Sequence, residues 1–186
     1  MEDKGSLLNR VFRAVRWDAE FYSEIKDDTA ANRQALAAVA IASLVCGVGT
    51  GFAAAIVDGR LDFFGGLIIG TLVSSGGWII WCLYSYWFSN IISGRLETKD
   101  TYEGLIHKGL LRSLAFSNAP RVFGFFYFIP LIGWFITLIA FLWAYTAGVT
   151  AVRETLGLSP GRAMVTCLAG WLPYMLLVFI TVALTI

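Results

Sequence analysis

The stretch FFGGLIIGTLVSSGGWIIWCLYSYWFSNIISG, residues 63–94, contains no Asp, Glu, Lys, Arg or His. A helix needs about 20 apolar residues to cross the hydrocarbon core of a bilayer, so this stretch is long enough to span one. Three more stretches without these residues flank it, at 34–57, 122–152 and 163–186. The sequence therefore predicts an integral membrane protein built from apolar helices.

The overall composition leads to the same class. Of the 186 residues, 58% are hydrophobic and 15% are charged, and the mean hydropathy is +0.70. Soluble proteins carry about 25% charged residues, and a soluble domain of this size cannot bury so large an apolar share. The composition thus excludes a soluble enzyme, a secreted disulfide scaffold and a disordered chain. Cys46, Cys82 and Cys167 lie far apart inside apolar stretches, so we expect no metal site and no cofactor.

Charged residues concentrate at the N-terminus, where the first 33 positions hold six Lys or Arg and seven Asp or Glu. Between residues 7 and 25 the apolar side chains share one helical face, opposite the Arg and Glu side chains. Asp18 interrupts that face and is a favourable N-cap, so we expect two short helices at about 6–17 and 19–27. We interpret residues 1–32 as a cytoplasmic amphipathic segment. It either lies in the membrane interface or packs on the cytoplasmic ends of the spans.

Five spans are predicted within a membrane domain at 33–186. The run 122–152 would form a single helix about 46 Å long, which exceeds the hydrocarbon thickness. Pro130 interrupts this run, and Pro173 is expected to kink the last span. No signal-peptide pattern precedes the first apolar run, so we expect the first span to be retained as an anchor. The predicted spans are about 33–57, 63–92, 105–129, 131–152 and 162–186.

The distribution of Lys and Arg indicates the orientation of these spans. With a cytoplasmic N-terminus, five spans leave eleven Lys or Arg inside and only Arg60 outside, with two more in the third span. This asymmetry agrees with the positive-inside rule. A four-span alternative would move Arg153 and Arg162 to the outside, so it agrees less well. The net charge of +1 gives no reason to expect a nucleic-acid partner.

Glycine pairs predict where the spans approach each other. Gly47 with Gly51, and Gly66 with Gly70, follow the small-xxx-small spacing that allows close contact between helix backbones. The run Gly47–Gly51 also resembles a phosphate-binding loop, but it lies inside a charge-free span with no Lys. Helix packing is therefore the better interpretation.

The stretch Gly157-Leu158-Ser159-Pro160-Gly161 matches the Gly-x-Ser-x-Gly pattern of serine hydrolases. That chemistry needs an acid and a His later in the chain, and neither follows Glu154. Ser159 is better read as the cap of the fifth span, with Pro160 as its first residue. We therefore predict no catalytic residues and no enzymatic activity.

A polar break in the third span, Ser117-Asn118-Ala119-Pro120-Arg121, is the strongest candidate for a ligand site. Pro120 removes a helical hydrogen bond, and Ser117 and Asn118 can bond to the freed backbone groups. A cation inside a span is costly unless it is paired, so Arg121 could hold a phosphate of a lipid or an anionic solute. Alternatively, the Pro kinks the helix and Arg121 reaches to the interface. Arg112 could join such a site or mark the inner boundary.

Other intramembrane chemistries lack the residues that they need. No acid lies deep in any span, which disfavours carriers coupled to protons or sodium and excludes proteolysis by paired aspartates. The lone His107 has no cluster of acids for a metal site and is read as interfacial.

The order of these features resembles the Yip family of Ypt/Rab-interacting membrane proteins, most closely its bacterial-type branch. The resemblance rests on an N-terminal Phe21–Asp28 segment, an Ala- and Gly-rich first span and a Gly-rich second span. It continues through the Ser-Asn-Ala-Pro-Arg break and the stretch from Gly148 to Ala163. It implies a bundle of five spans with a cytoplasmic N-terminus, oligomers, and a bacterial inner membrane as the location. The Asp-Leu-Tyr-Gly-Pro element of eukaryotic relatives is absent here, so the resemblance does not extend to a GTPase-linked role.

The sequence features fit three different functions. The first is a non-enzymatic scaffold that organises the membrane through helix packing and lipid contact, with lipids, a second copy or other membrane proteins as partners. The second is a transporter, channel or lipid-moving protein that uses the break around Pro120 and Arg121. The third is an accessory subunit of a larger membrane complex, which the Gly-rich helix faces also fit.

Overall fold

The computed structural model describes residues 6–57, 62–93 and 109–185. Every regular element in this part of the chain is helical, and no strand occurs among them. The predicted all-α class is therefore confirmed. His107 and most of the predicted turn at 58–62 lie outside the described residues.

Two short helices open the chain, α1 (Leu7–Val15) and α2 (Ala19–Ile25), and a 3-10 turn at Thr29–Ala31 follows them. The long helices α3 (Asn32–Val57) and α4 (Phe63–Ile92) come next. The short helix α5 (Leu110–Ser117) leads into a run of 3-10 helix at Ala119–Phe128, which we call the 3-10 segment. Helices α6 (Ile132–Leu156) and α7 (Pro160–Thr185) complete the described chain.

Four helical stretches of the described residues are long and apolar enough to cross a membrane. They correspond to α3 with the turn before it, α4, α6 and α7. At most 39% of the apolar window of each is buried inside the protein. The outward surface of these helices is thus largely apolar, as expected for a multi-pass protein that contacts lipid.

The third predicted span, 105–129, differs from the expectation of one broken helix. Its described part is α5 followed by the 3-10 segment, and neither qualifies alone as a membrane-spanning helix. Pro120 has no N–H to donate to the carbonyl of Phe116, so the α-helical ladder ends there. The backbone N–H of Arg121 instead bonds to the Asn118 carbonyl at 3.1 Å, in the i to i+3 pattern of a 3-10 helix.

The predicted break at Pro130 coincides with a tight turn between the 3-10 segment and α6. The Ile132 N–H bonds to the Pro130 carbonyl at 2.7 Å, around Leu131 with a φ of 63°. Such a hydrogen bond across two residues reverses the chain within three residues. Pro173, by contrast, lies inside α7, which continues on both sides of it.

The N-terminal segment divides where the sequence predicts it. Asp18 caps α2, because its Oδ1 accepts a hydrogen bond from the Phe21 N–H at 3.0 Å. Trp17 adopts a φ of 57° immediately before this cap, which turns the chain between α1 and α2. Both short helices pack on α5 and α6.

Helix α3 contacts α4 on one side and the 3-10 segment on the other. Glycines permit both contacts. A Cβ atom at Gly47 would lie 2.6 Å from the Leu67 carbonyl oxygen of α4, and one at Gly66 would lie 2.8 Å from the Thr50 carbonyl oxygen. Gly51 and Gly70 belong to the same α3–α4 contact. The two predicted glycine pairs therefore face each other across one interface.

We expect Gly47→Ala to destabilise the protein by about 1–3 kcal/mol, because the added methyl group would push against the backbone of α4. The matched control is Gly76→Ala on α4, where a Cβ atom would meet no atom within 4 Å. This control should leave stability unchanged or raise it slightly, through the better helix propensity of Ala. Thermal unfolding in detergent measures both, and equal midpoints for the two variants would contradict a backbone contact at Gly47.

Candidate functional site

The polar break predicted at 117–121 lies inside the bundle rather than on its surface. Arg121 is 4% exposed and Asn118 is fully buried. Both belong to the stretch where α5 gives way to the 3-10 segment, which packs between α3 and α6. The guanidinium of Arg121 is therefore enclosed by protein and does not reach an outer surface.

Two acceptors hold one end of the Arg121 guanidinium. Its Nη1 donates to the side-chain oxygen Oδ1 of Asn118 at 3.2 Å and to the backbone carbonyl of Ser74 on α4 at 3.4 Å. The backbone of Arg121 is also tied to α3, because the Cys46 thiol donates to its carbonyl at 3.0 Å. The break thus connects α3 and α4 through one residue.

Two aromatic rings accompany the cation. The guanidinium carbon of Arg121 lies 4.7 Å from the ring centre of Phe141 on α6 and 4.6 Å from that of Tyr174 on α7. Cation–π contacts at this distance stabilise a desolvated cation by about 2 kcal/mol. Together with Asn118 and the backbone carbonyl of Ser74, these residues form what we call the Arg121 cluster: Ser74, Asn118, Arg121, Phe141 and Tyr174.

The structure brings only some of the polar residues near the break into this cluster. Ser117 is buried, but its hydroxyl donates to the Leu114 carbonyl of its own helix at 2.9 Å. On α4, the hydroxyls of Thr71 and Ser75 likewise bond to carbonyls of their own helix, at 2.7 and 2.8 Å. Of the predicted ligand residues, Asn118 and Arg121 are therefore the two that meet.

Arg112 is separate from the cluster, so the suggestion that it joins Arg121 is not supported. It is 4% exposed, and its guanidinium donates to the Ile25 carbonyl at 3.2 Å, to the Lys26 carbonyl, and to Asn32 Oδ1 at 2.9 Å. These carbonyls form the C-terminal end of α2, which carries partial negative charge. Arg112 accordingly anchors the N-terminal segment to the bundle.

Gly109, next to this anchor, allows the close approach of α2. Its φ is 66°, and a Cβ atom there would lie 2.2 Å from the Lys26 carbonyl oxygen. Both its backbone conformation and the contact exclude a larger residue. Because Gly109 immediately precedes α5, this contact sets where Arg112 meets α2.

Ion pairs connect the two short helices of the N-terminal segment. Arg13 on α1 donates to Asp18 at 2.6 Å and to Glu24 at 2.7 Å, while Arg10 pairs with Asp28 at 2.6 Å. Partial burial opposes the charge on Asp18, but its hydrogen bonds from Arg13 and from the Phe21 N–H hold the pKa of this carboxyl below its usual value. Pairing with Glu24 and Asp18 raises the pKa of Arg13. Both groups therefore remain charged at neutral pH.

The sequence reasoning missed the aromatic half of the Arg121 cluster. Phe141 and Tyr174 lie in apolar spans 20 and 53 residues after Arg121, where aromatic residues are common. The one local signal is Gly77 on α4, where a Cβ atom would overlap the Tyr174 ring at 1.9 Å. Among the described residues, no group of three or more His, Cys, Asp or Glu could hold a metal ion.

The chain matches one protein-family model, described as the Yip1 domain, over residues 12–182. The match confirms the family resemblance drawn from the sequence, and it covers the end of α1 from residue 12, all of α2 and the Arg121 cluster. Comparisons with curated proteins and with solved structures found no match.

We expect Arg112→Ala to loosen the N-terminal segment while the spans stay folded. Hydrogen bonds to a charged group contribute about 1.5–3 kcal/mol, so amide exchange in residues 19–28 should accelerate about tenfold to a hundredfold. The matched control is Arg162→Ala, which removes an exposed cation at the start of α7. Hydrogen–deuterium exchange in detergent measures both. If exchange in 19–28 is the same in the two variants, Arg112 is not the anchor.

Proposed function

The chain belongs to the Yip1 domain family, and from this premise we propose a non-enzymatic membrane protein that organises the bilayer through helix packing and lipid contact. Its partners in this role are membrane lipids and other membrane proteins, including a second copy of the chain. The observation that carries the proposal is the exposed apolar face of α1.

That face belongs to a helix whose other sides are already occupied. Leu8 and Phe12, one turn apart on α1, are 72% and 59% exposed. Ala14 is fully buried against the bundle, and Arg10 and Arg13 are engaged in ion pairs with the acids of the N-terminal segment. An apolar face next to a charged face is typical of helices that lie in the membrane interface.

The position of α1 along α6 supports the same role. Exposed large apolar residues of α6 end at Leu142. At the next residue the Trp143 indole donates to the Val15 carbonyl at 2.8 Å, and Trp17 donates to Thr146 at 3.0 Å. The segment between α1 and α2 therefore covers α6 where its bare apolar surface stops. Trp side chains favour this boundary between hydrocarbon and headgroups.

We also propose five spans with a cytoplasmic N-terminus, in a bacterial inner membrane. At 1.5 Å per residue in α5 and about 2 Å per residue in the 3-10 segment, residues 110–128 would extend about 32 Å if collinear. That length equals the hydrocarbon thickness, so these two elements together suffice for the third crossing. This arrangement leaves eleven Lys or Arg on the cytoplasmic side and Arg60 alone on the other side, which supports the same orientation.

Vesicle shape tests the proposed function. Wild-type protein reconstituted at a fixed protein-to-lipid ratio should give smaller or tubular vesicles compared with protein-free lipid, as seen by cryo-electron microscopy. In Leu8→Ser/Phe12→Ser this effect should largely disappear, because inserting the two side chains contributes about 3–6 kcal/mol. Glu20→Ser, at an exposed position of α2, is the control and should behave like wild type. Wild-type vesicles no different from protein-free ones would refute the proposal.

Thiol labelling tests the orientation in a background without the three native cysteines. An impermeant maleimide added to intact cells reaches only the outer side of the membrane. It should label Gly59→Cys but neither Thr98→Cys nor Ser159→Cys. Ser159 is exposed between α6 and α7, so its side chain is accessible from whichever side it faces. Labelling of position 159 from outside would favour the four-span alternative.

A further inference from the structure

The Arg121 cluster contains a buried cation without a carboxylate. The described ion pairs involve Arg10, Arg13 and Arg153, and none of them includes Arg121. The acids in the described ranges lie at 18–28, at Asp62 and at Glu154, and all are outside the cluster. A desolvated cation without a counter-charge is strongly unfavourable, and the two aromatic rings offset only part of this cost.

Four members of the cluster also carry a buried polar atom without a partner. They are Arg121 Nε, Asn118 Nδ2, Ser74 Oγ and the Tyr174 hydroxyl. Folded proteins leave few such groups unsatisfied, and several in one place call for an explanation. The two nitrogens can only donate, and both hydroxyls can donate. Their common complement is a group with several acceptor oxygens and negative charge.

The depth of the cluster follows from the three helices that reach it. Cys46 is 11 residues from the end of α3, Ser74 is 11 residues from the start of α4, and Phe141 is 9 residues from the start of α6. At 1.5 Å per residue, these separations are about 14–17 Å. Half of the hydrocarbon thickness is about 15 Å. The cluster therefore lies near the middle of the bilayer, where charged residues generally mark functional sites.

We propose that Arg121, Asn118, Ser74 and Tyr174 form a binding site for a phosphate-class oxyanion in the middle of the membrane. A guanidinium presents paired N–H groups that match such an anion, and the amide and hydroxyls add donors around it. The anion is either a free phosphate or the phosphate of a lipid headgroup, since both present the same oxygens. This site goes beyond the membrane-organising role and supports the transport or lipid-moving alternative.

One substitution separates this proposal from a merely structural cluster. Asn118→Asp changes the shape of the side chain little, and it places a carboxylate within hydrogen-bond distance of Arg121. The new carboxylate would neutralise the cation from within the protein. The variant should therefore be more thermally stable than wild type without any anion, and it should no longer respond to one.

The experiment follows the thermal unfolding midpoint of the full chain in micelles of an uncharged maltoside detergent, which contain no phosphate. Saturating inorganic phosphate, compared with chloride at equal ionic strength, should raise the wild-type midpoint by about 5–10 °C if free anions bind. Phosphatidylglycerol added to the micelles should do so if the ligand is a lipid phosphate. Ser74→Ala and Tyr174→Phe should reduce the shift. The matched control Ser75→Ala, whose hydroxyl bonds to its own helix, should retain it.

The outcomes distinguish the ligand sources and can reject the site. If inorganic phosphate raises the wild-type midpoint, the ligand is a free anion. If only phosphatidylglycerol raises it, the ligand is a lipid. The proposal is overturned if neither probe shifts the wild-type midpoint, or if Asn118→Asp and Ser74→Ala respond as fully as wild type. Vesicle shape does not enter these measurements, so this site and the membrane-organising role succeed or fail independently.

Discussion

The close approach of α3 to its neighbours is the constraint on which the bundle depends. Lipid tails are as apolar as Leu side chains, so burial of apolar surface does little to hold helices together in a bilayer. Contact between backbones must supply that association. Gly47 and Gly51 admit α4 on one side of α3, while Gly49 admits the 3-10 segment, where a Cβ atom would lie 2.5 Å from the Phe125 carbonyl oxygen. Three glycines in five residues thus serve two interfaces.

The position of the polar break follows from these contacts. Because the 3-10 segment packs against Gly49, the residues just before it are drawn into the interior. The Cys46 thiol then reaches the Arg121 carbonyl, and Asn118 and Ser74 reach its guanidinium. A second helix pair, α4 and α7, brings the Tyr174 ring over the cation because Gly77 leaves room for it. Close helix packing and the buried cation are therefore parts of one arrangement.

Charged side chains hold the N-terminal segment in two ways, through ion pairs at its surface and through one buried Arg of α5. Arg10 and Arg13 pair with acids at a partly exposed surface, whereas Arg112 is buried and bonds to carbonyls at the end of α2. Exposed ion pairs contribute little to stability, so the attachment of this segment depends on Arg112, on the Trp17 and Trp143 contacts and on the buried apolar side chains of α2. The result is a helix, α1, that is fixed in place yet leaves Leu8 and Phe12 uncovered.

The amino-acid sequence alone determined the membrane class, the helical fold, the division at Asp18 and the glycine pairs of α3 and α4. These features depend on local periodicity, capping and the length of charge-free runs, all of which can be read along the chain. It also located the break at Pro120, because a missing N–H is a property of one residue. The continuation of that break as a 3-10 segment was not predicted, since it depends on packing against α3.

Only the tertiary structure decided what each buried cation contacts. Arg112 and Arg121 are nine residues apart in similar surroundings, yet one meets the carbonyls of α2 and the other meets two aromatic rings. Those partners come from segments up to 87 residues away in the chain. Charge and hydrogen-bonding capacity are fixed by the residue type, but the groups that satisfy them are fixed by which helices pack together.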